Sequence, residues 1–353
     1  MQDFYQNNFK KFLIIPLILS IVMLFFIFIF PGIQPGIDLT GGNMLIIRSE
    51  EKIDEAILST TLNENFSLKE LKISTIASPT GYGAWIQYNK DPFIVEVEEL
   101  LNEATSALDV ENDDDAIKYS SEALVLLNKE VSEFSNSKIA VFQAQQALAD
   151  YKEEDSLKLQ SVLIEKLNLK GEFEFQKREI SPTLGEASFS SSLWISLIGV
   201  ILITLIVFIA FRQLVPSAAI IQAMIFDVLA GLAGMTLLNI PLSLTTLPAL
   251  LMLIGYSVDT DIMLTSRVLK GRDGASTQRA TSSMKTGITM TLTSMAALLV
   301  MILFSYFYQI DVIYQISVVL FFGLIGDLIA TWFMNAPILL WWVEKKEESN
   351  KKY

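Results

Sequence analysis

Four aspartates lie inside long apolar runs of the sequence and are the side chains best suited to chemistry there: Asp227, Asp259, Asp261 and Asp327. A carboxyl group in a low-dielectric environment can change its protonation state near neutral pH. Charged side chains are costly within a membrane, so each of these aspartates is a candidate functional residue. Protonation of such a group could be coupled to a conformational change.

The absence of His and Cys excludes several other kinds of chemistry. Without these residues there can be no Ser-His-Asp or Cys-His catalysis, no imidazole or thiolate metal site and no disulfide. A Gly-x-x-x-x-Gly-Lys phosphate loop is also missing, which argues against ATP hydrolysis. We therefore expect no enzyme activity, no metal and no cofactor. The lack of basic stripes argues against nucleic-acid binding.

Asp259 and Asp261 must lie on different faces of their helix, because two residues correspond to about 200° of rotation. Asp259 shares its face with Tyr256, a candidate hydrogen-bond partner, and we favour Asp259 as the residue that titrates. Asp261 shares its face with Ser257.

Six apolar segments could position these residues, since a bilayer-spanning helix needs about 20 mostly apolar residues. The chain has 353 residues, of which 52% are hydrophobic, and its mean hydropathy is +0.44. The first segment is predicted to be a retained anchor, with a cleaved signal peptide as the alternative. We predict spans at residues 12–30, 191–211, 215–238, 243–265, 286–308 and 312–343.

The distribution of basic residues predicts the orientation of these spans. Lys and Arg precede the first span, follow the second, fourth and sixth, and are absent from the alternate short loops. We therefore predict a multi-pass plasma-membrane protein with cytoplasmic ends, residues 1–11 and 344–353. The polar segment 37–190 would then lie on the exterior side. A soluble protein with buried helices is the alternative, but uncharged runs recur too often for it.

The polar segment is predicted to fold as an α+β domain with a helical insertion. Alternating and β-branched runs predict strands, whereas Ala, Leu, Glu, Lys and Gln recur with helical spacing between them. We predict strands at 43–48, 71–77, 84–88 and 172–180, a helix at 51–62 and an insertion at about 95–170, in which 109–115 connects two helices and caps the second.

The insertion carries most of the negative charge of the chain. Between Ile94 and Lys170 there are 17 acidic and 7 basic residues, a difference of −10 within a net charge of −13. A solvated helix face explains this acidity. A docking surface for a partner or a basic emerging polypeptide is the alternative.

Three motifs resemble those of one family of membrane proteins. They are Gly36-Ile37-Asp38-Leu39-Thr40-Gly41-Gly42 after the first span, Pro182-Thr183-Leu184-Gly185-Glu186 before the second, and Gly255-Tyr256-Ser257-Val258-Asp259-Thr260-Asp261-Ile262 within the fourth. They are similar to the Gly-x-Asp-x-Thr-Gly-Gly, Gly-Pro-x-Leu-Gly and Gly-Tyr-Ser motifs of the SecF family. The resemblance covers nearly the whole chain except the acidic insertion, which looks like the longer archaeal form.

The first two motifs are interpreted as structural. The glycine pair Gly41 and Gly42 permits a tight turn where the chain leaves the membrane. Asp38 and Thr40 can bond to backbone amides in such a turn. Gly185 belongs to the segment where the chain re-enters the membrane.

The resemblance implies a fold and a set of partners. The fold would be six transmembrane helices, half of an RND-type bundle, with a ferredoxin-like exterior domain. The chain would pair with a SecD-like membrane subunit and assist the Sec translocon with a translocating polypeptide. In the family this work is attributed to the proton gradient, acting through intramembrane carboxylates and a basic residue.

The resemblance also assigns roles to single residues. Asp227 fits the aspartate of the third span, and a structural role is the alternative. Lys285 takes the place of Arg in an Arg-Thr-x-x-Thr segment; snorkelling to the interface would explain it as well. The bacterial pattern Gly-Tyr-Ser-x-Asn-Asp places Thr260 at its last position, while Asp259 coincides with the aspartate of the SecD-type Val-Asp-Ala-Asn motif. Asp327 has no counterpart that we can assign.

Two other functions remain open at this stage. A half-size RND-type transporter of lipid or small solute would share the spans and the intramembrane aspartates. A passive scaffold would tolerate Asp→Asn changes, because its aspartates would be structural.

Overall fold

The computed structural model describes Tyr5 and residues 9–49, 51–66, 68, 71–78, 81–129, 131, 134, 136–167, 173–180, 182–271, 274–308 and 310–351. The chain forms two compact units, one of Met1–Thr40 with Pro182–Tyr353 and the other of Gly41–Ser181. Arg272, Asp273 and Lys352, which contribute to the charges of the predicted cytoplasmic loops, lie outside the described residues, as does the side chain of Thr40.

The second unit is inserted in the chain between two parts of the first. In chain order the described elements are α1 (Ile14–Phe28), α2 (Ile37–Thr40), β1 (Gly42–Ser49), α3 (Glu55–Asn65), β2 (Lys72–Ser78), β3 (Gly81–Tyr88), α4 (Pro92–Asp109), α5 (Asp113–Leu126), α6 (Ser137–Lys166), β4 (Phe173–Ile180), α7 (Pro182–Phe211), α8 (Leu214–Leu237), α9 (Thr246–Lys270), α10 (Ser276–Phe307), α11 (Asp311–Ile329) and α12 (Ala336–Lys351). A 3-10 turn, Phe9–Leu13, precedes α1, and a π-helical turn, Ala330–Asn335, joins α11 to α12.

Six described helical segments are long and apolar enough to cross a membrane, which confirms the predicted fold class. They are Lys10–Phe28, Ser188–Phe211, Leu214–Leu237, Thr246–Lys270, Ser276–Phe307 and Asp311–Ser349. Several helices are longer than the apolar runs that predicted them. Helix α10, for example, begins at Ser276, whereas its apolar run begins near residue 286. Hydropathy marks only the apolar part of a helix, whereas the hydrogen-bonded turns extend into polar sequence.

The six spans differ in how much of their surface the chain itself buries. Helices α8 and α9 bury 61% and 56% of their most apolar stretch, but the first span and α7 bury only 11% and 6%. Helices α8, α9 and α11 therefore form the core of the membrane unit. Close packing of α8 on α11 depends on Gly326, where an added Cβ would lie 2.5 Å from the Cβ of Ala230.

The second unit is built on a four-stranded sheet with the strand order β2-β3-β1-β4. Strand β1 pairs antiparallel with β3 and β4, and β2 pairs antiparallel with β3. With α3 between β1 and β2 and helices between β3 and β4, this is the split βαβ arrangement of ferredoxin-like domains. The predicted α+β class is thus confirmed.

One face of the sheet is covered by α3 and by the end of α6. Leu58 and Leu62 of α3 and Leu159 and Leu163 of α6 pack in one core with Ile47 of β1. The long helix α6 therefore has two roles, because its first half belongs to a separate helical cluster with α4 and α5. Part of the segment assigned to the insertion by sequence is the second helix of the ferredoxin-like core.

Helix starts in this unit follow capping residues. Asp54 accepts hydrogen bonds from the amides of Ala56 and Ile57 at 2.9 and 3.4 Å, so α3 begins at Glu55 rather than at residue 51. Asn112 caps α5, and its side chain accepts from the amide of Asp115. The three aspartates in the first turn of α5 complement the positive end of the helix dipole.

Candidate functional site

Three of the four intramembrane aspartates lie together in the core of the membrane unit. Asp227 of α8, Asp261 of α9 and Asp327 of α11 are 0%, 0% and 1% exposed. Small residues on α8 and α11 allow the helices to approach so closely that a Cβ at Gly326 would lie 3.5 Å from Oδ1 of Asp227. The packing of spans three, four and six thus brings the carboxyl groups into one cluster.

Asp261 and Asp327 are bridged by a threonine of the π-helical turn. The hydroxyl of Thr331 lies 2.9 Å from Oδ1 of Asp261 and 3.1 Å from Oδ1 of Asp327. Asn335 donates to the same oxygen of Asp261 at 2.8 Å. Thr291 of α10 donates to Oδ2 of Asp327 at 3.2 Å. Hydroxyl and amide donors therefore hold both carboxyl groups.

Asp227 is held by the serine of the Gly-Tyr-Ser motif. The hydroxyl of Ser257 donates to Oδ2 of Asp227, and Ser257 itself is 0% exposed. Oδ1 of Asp227 and Oδ2 of Asp261 are buried and have no hydrogen-bond partner among the described residues. None of the buried side chains that the structure describes in this unit is a Lys or an Arg. The cluster therefore contains carboxyl groups without a compensating cation.

Asp259, which we favoured as the titrating residue, lies on the opposite face of α9. Its side chain is exposed, as is that of Tyr256, and no hydrogen bond joins the two in the described part of the chain. Lys285 of α10 is exposed as well. Close to Lys285 in sequence, Gly287 packs against Thr260, since a Cβ added at Gly287 would lie 3.2 Å from Cγ2 of Thr260. Asp259 and Lys285 consequently lie at depths that differ by about one helical turn.

Gly255 lies on the same exposed face of α9 as Tyr256 and Asp259. A Cβ at this position would meet no atom within 4 Å. The exposed face of α9 that carries Gly255, Tyr256 and Asp259, taken together with the exposed Lys285 of α10, is called the outward polar face below. That Asp259 titrates remains a prediction, because the geometry separates it from the buried carboxyl groups without assigning it a partner.

Thr331 and Asn335 were missed by sequence reasoning. They follow Asp327 at spacings of four and eight residues, so the three side chains form one polar stripe along the last span. That spacing is a signal that the sequence contains. Asp261, the residue that both contact, is however 70 and 74 positions away in sequence.

The glycine pair after the first span forms the expected turn. Gly41 has a φ of 75° and Gly42 a φ of 137°, both in the region that favours glycine. Before it, the amide of Gly36 donates to the carbonyl of Leu242 at 2.7 Å, tying this segment to the loop between α8 and α9. Asp38 is half-buried in α2, and Gly185 lies in the first turn of α7.

Fold and site together define a class of protein, a six-span membrane protein with one ferredoxin-like domain and a buried group of carboxyls. Residues 164–345 match the family described as "Protein export membrane protein SecD/SecF, C-terminal". The chain belongs to this SecD/SecF family of protein-export membrane proteins, as its resemblance to SecF predicted.

Two relatives that match over nearly their full length are archaeal. The "Protein-export membrane protein SecF" of Methanocaldococcus jannaschii is 31% identical over 339 residues, 96% of each chain. The protein of the same description from Methanothermobacter thermautotrophicus is 28% identical over 344 residues, 97% of this chain and 95% of the relative.

A solved structure supports the fold. The crystal structure of SecDF, "a translocon-associated membrane protein" from Thermus thermophilus, matches with a TM-score of 0.65 at 17% identity. The match covers 97% of this chain but only 38% of the SecDF chain. Because the match covers nearly the whole chain, it supports the fold of both the membrane unit and the sheet domain.

Proposed function

We propose that this chain is the SecF-like subunit of a protein-export complex. It would work with a SecD-like membrane subunit and the Sec translocon on polypeptides that cross the plasma membrane. Support comes from family membership over nearly the full length and from the SecDF match, in which this chain corresponds to little more than a third of the larger protein. Family membership also weighs against a half-size transporter of lipid or small solute.

The observation that carries the proposal is the outward polar face. Asp259 lies near the middle of α9, and its exposed side chain would meet lipid if the chain were alone in the bilayer. An ionised side chain at the centre of a membrane span costs about 3 kcal/mol on insertion scales. A second membrane subunit that covers this face would relieve that cost, and the open space at Gly255 leaves room for a helix to approach.

Proton coupling is the finer part of the proposal. Asp259 would exchange protons at the interface with the SecD-like subunit, and Lys285, about one helical turn away in depth, would be its basic partner. Since neither residue forms an ion pair in the described part of this chain, both are available to groups of the partner. The basic residues of the loops support an orientation with cytoplasmic ends and an exterior α+β domain.

Export of a secreted reporter tests the proposal. Pulse-chase labelling would follow the reporter in cells whose only copy carries Asp259→Asn, at matched protein level. We expect export to slow several-fold, because the amide keeps the shape of the side chain but does not bind and release a proton near neutral pH. The control is Glu99→Gln, an exposed acidic residue of α4 in the other unit. Export at the normal rate in Asp259→Asn would show that this carboxyl does not couple protons to export.

A further inference from the structure

We propose that Asp261 and Asp327 share one proton through the hydroxyl of Thr331, which makes the buried cluster a proton-relay site separate from the outward polar face. The relay joins two transmembrane helices, α9 and α11, at the π-helical turn. It involves no residue of the outward polar face, so it can operate whether or not Asp259 couples export to the proton gradient.

The argument begins with a count of donors. A threonine hydroxyl can donate one hydrogen bond and accept two. Thr331 lies within hydrogen-bonding distance of a carboxyl oxygen on each side, at 2.9 Å from Asp261 and 3.1 Å from Asp327. If both carboxyl groups were ionised, the hydroxyl could donate to only one of them. Both contacts are hydrogen bonds only if one carboxyl group is itself a donor.

The neighbouring donors indicate which carboxyl group carries the proton. Oδ1 of Asp261 also accepts from the amide of Asn335 at 2.8 Å, so this oxygen acts as an acceptor and does not carry the shared proton. The contact from Thr331 to Asp261 is also the shorter of the two. Asp327 is then the protonated partner: it donates from Oδ1 to Thr331, and its Oδ2 accepts from Thr291 at 3.2 Å.

Burial and charge also favour one shared proton in the pair. Asp261, Asp327 and Thr331 are each at most 1% exposed, and adjacent carboxylates cannot all ionise at low cost without a cation. The titratable group that faces the pair from α8 is Asp227, while α10 contributes the hydroxyl of Thr291. The π-helical turn contributes Thr331 and the uncharged Asn335 among the residues that the structure describes.

The proposed transfer moves one proton between two spans. The O–H bond of Asp327 breaks as its proton passes to Oγ1 of Thr331, and the original hydroxyl proton of Thr331 passes to Oδ1 of Asp261. Asp261 ends protonated, Asp327 ends ionised and Thr331 is regenerated. No electron or other reactant is needed. The negative charge thereby moves from α9 to α11, and a π-helical turn, a feature frequent at functional sites, lies at the bridge.

Infrared spectroscopy of the purified full-length protein tests the relay directly. A protonated carboxyl group has a C=O stretching band, sensitive to hydrogen–deuterium exchange, that a carboxylate lacks. Asp227 is replaced by Asn in every sample, so that its own carboxyl group adds no band. We expect the band at neutral pH in Asp227→Asn and in Asp227→Asn/Asp259→Asn, and its loss in Asp227→Asn/Asp327→Asn. Absence of the band in Asp227→Asn at neutral pH, or its persistence after the further Asp327→Asn change, would overturn the proposal.

Substitution of the bridge provides a test that does not remove a carboxyl group. Thr331→Val keeps the shape of the side chain without the hydroxyl, so the band should move to the higher frequency of a carboxyl group that donates no hydrogen bond. Thr331→Ser should restore the wild-type position. An unchanged band in Thr331→Val would contradict the relay. Because neither readout depends on export, a failed relay is distinguishable from a failed export function.

Discussion

Carboxyl groups are stabilised in opposite ways in the two units of this protein. In the α+β unit, Glu98 and Glu179 form a four-membered ion cluster with Lys90 and Lys152, at N–O distances between 2.5 and 2.9 Å. In the membrane unit, the buried aspartates are held by hydroxyl and amide groups, and no described cation is buried beside them.

The ion cluster keeps Glu179 ionised. Burial alone would raise the pKa of Glu179, but hydrogen bonds and charges from Lys152 and Lys90 outweigh it and lower the pKa to about 2. Lys90 is itself almost fully buried, with 3% of its side chain exposed. The cluster joins the β3–α4 connection, α4, α6 and strand β4, so it attaches the helical insertion to the sheet.

The difference shows how the same functional group can be made static or responsive. A carboxylate paired with lysines keeps its charge over a wide pH range, which suits a structural connection. A carboxyl group held by hydroxyls can be either donor or acceptor, because a hydroxyl can reverse its direction. Lysine pairing thus suits the insertion, and hydroxyl pairing suits a site where protons move.

Removing the buried lysine should have the largest effect. In Lys90→Met, Glu98 and Glu179 lose one of their two cations, and breaking a buried ion pair costs about 3 kcal/mol. Amide exchange of β1 and β4 in the full-length protein, measured by mass spectrometry, should accelerate about a hundredfold, since about 1.4 kcal/mol corresponds to tenfold.

The matched control is Lys158→Met in the same unit. Lys158 pairs with Glu154 at 3.1 Å, but both side chains are more than half exposed, at 66% and 70%. Exposed pairs of this kind contribute about 0.5 kcal/mol, so exchange should change by less than about threefold. Equal effects of the two substitutions would mean that the buried cluster has no special structural role.

Removing one hydroxyl from the carboxyl cluster should have a smaller effect. Ser257→Ala leaves Asp227 without its donor, and loss of a hydrogen bond to a buried group costs about 1–2 kcal/mol. The free energy of unfolding of the membrane unit, measured by denaturant titration in detergent, should fall by that amount. Ser282→Ala, at an exposed position of α10, is the control and should change it little.

Much of this architecture was predictable because it depends on local patterns. Six apolar runs predict six spans, and alternation and turn residues predict the strands, since both signals lie within short windows. The opposite faces of Asp259 and Asp261 follow from helix geometry alone. Which of the two faces is buried did not follow, because it depends on the packing of α8 and α11 against α9. The same limit explains why Thr331 and Asn335 were missed.

The smallest effect expected is a change in how the stability of the α+β unit depends on pH in the acid range. The pKa of Glu179 lies below its ordinary value of 4.5, at about 2, so the ionised form stabilises the fold. This contribution is complete above about pH 4.5 and is lost as the pH falls through about 2. Glu179→Gln should therefore lower stability at neutral pH and flatten its decline on acidification.

Hydrogen exchange of β1 and β4, corrected for the intrinsic exchange rate at each pH, measures this decline in the full-length protein. The control is Glu154→Gln. Among the described residues, the exposed carboxylate of Glu154 pairs only with the exposed Lys158, so this variant should keep the wild-type dependence of stability on pH. If Glu179→Gln keeps the wild-type slope as well, the lysines do not hold Glu179 ionised. The contrast between a static ion cluster and a responsive carboxyl cluster would then be lost, because Glu179 would titrate like an ordinary carboxyl group.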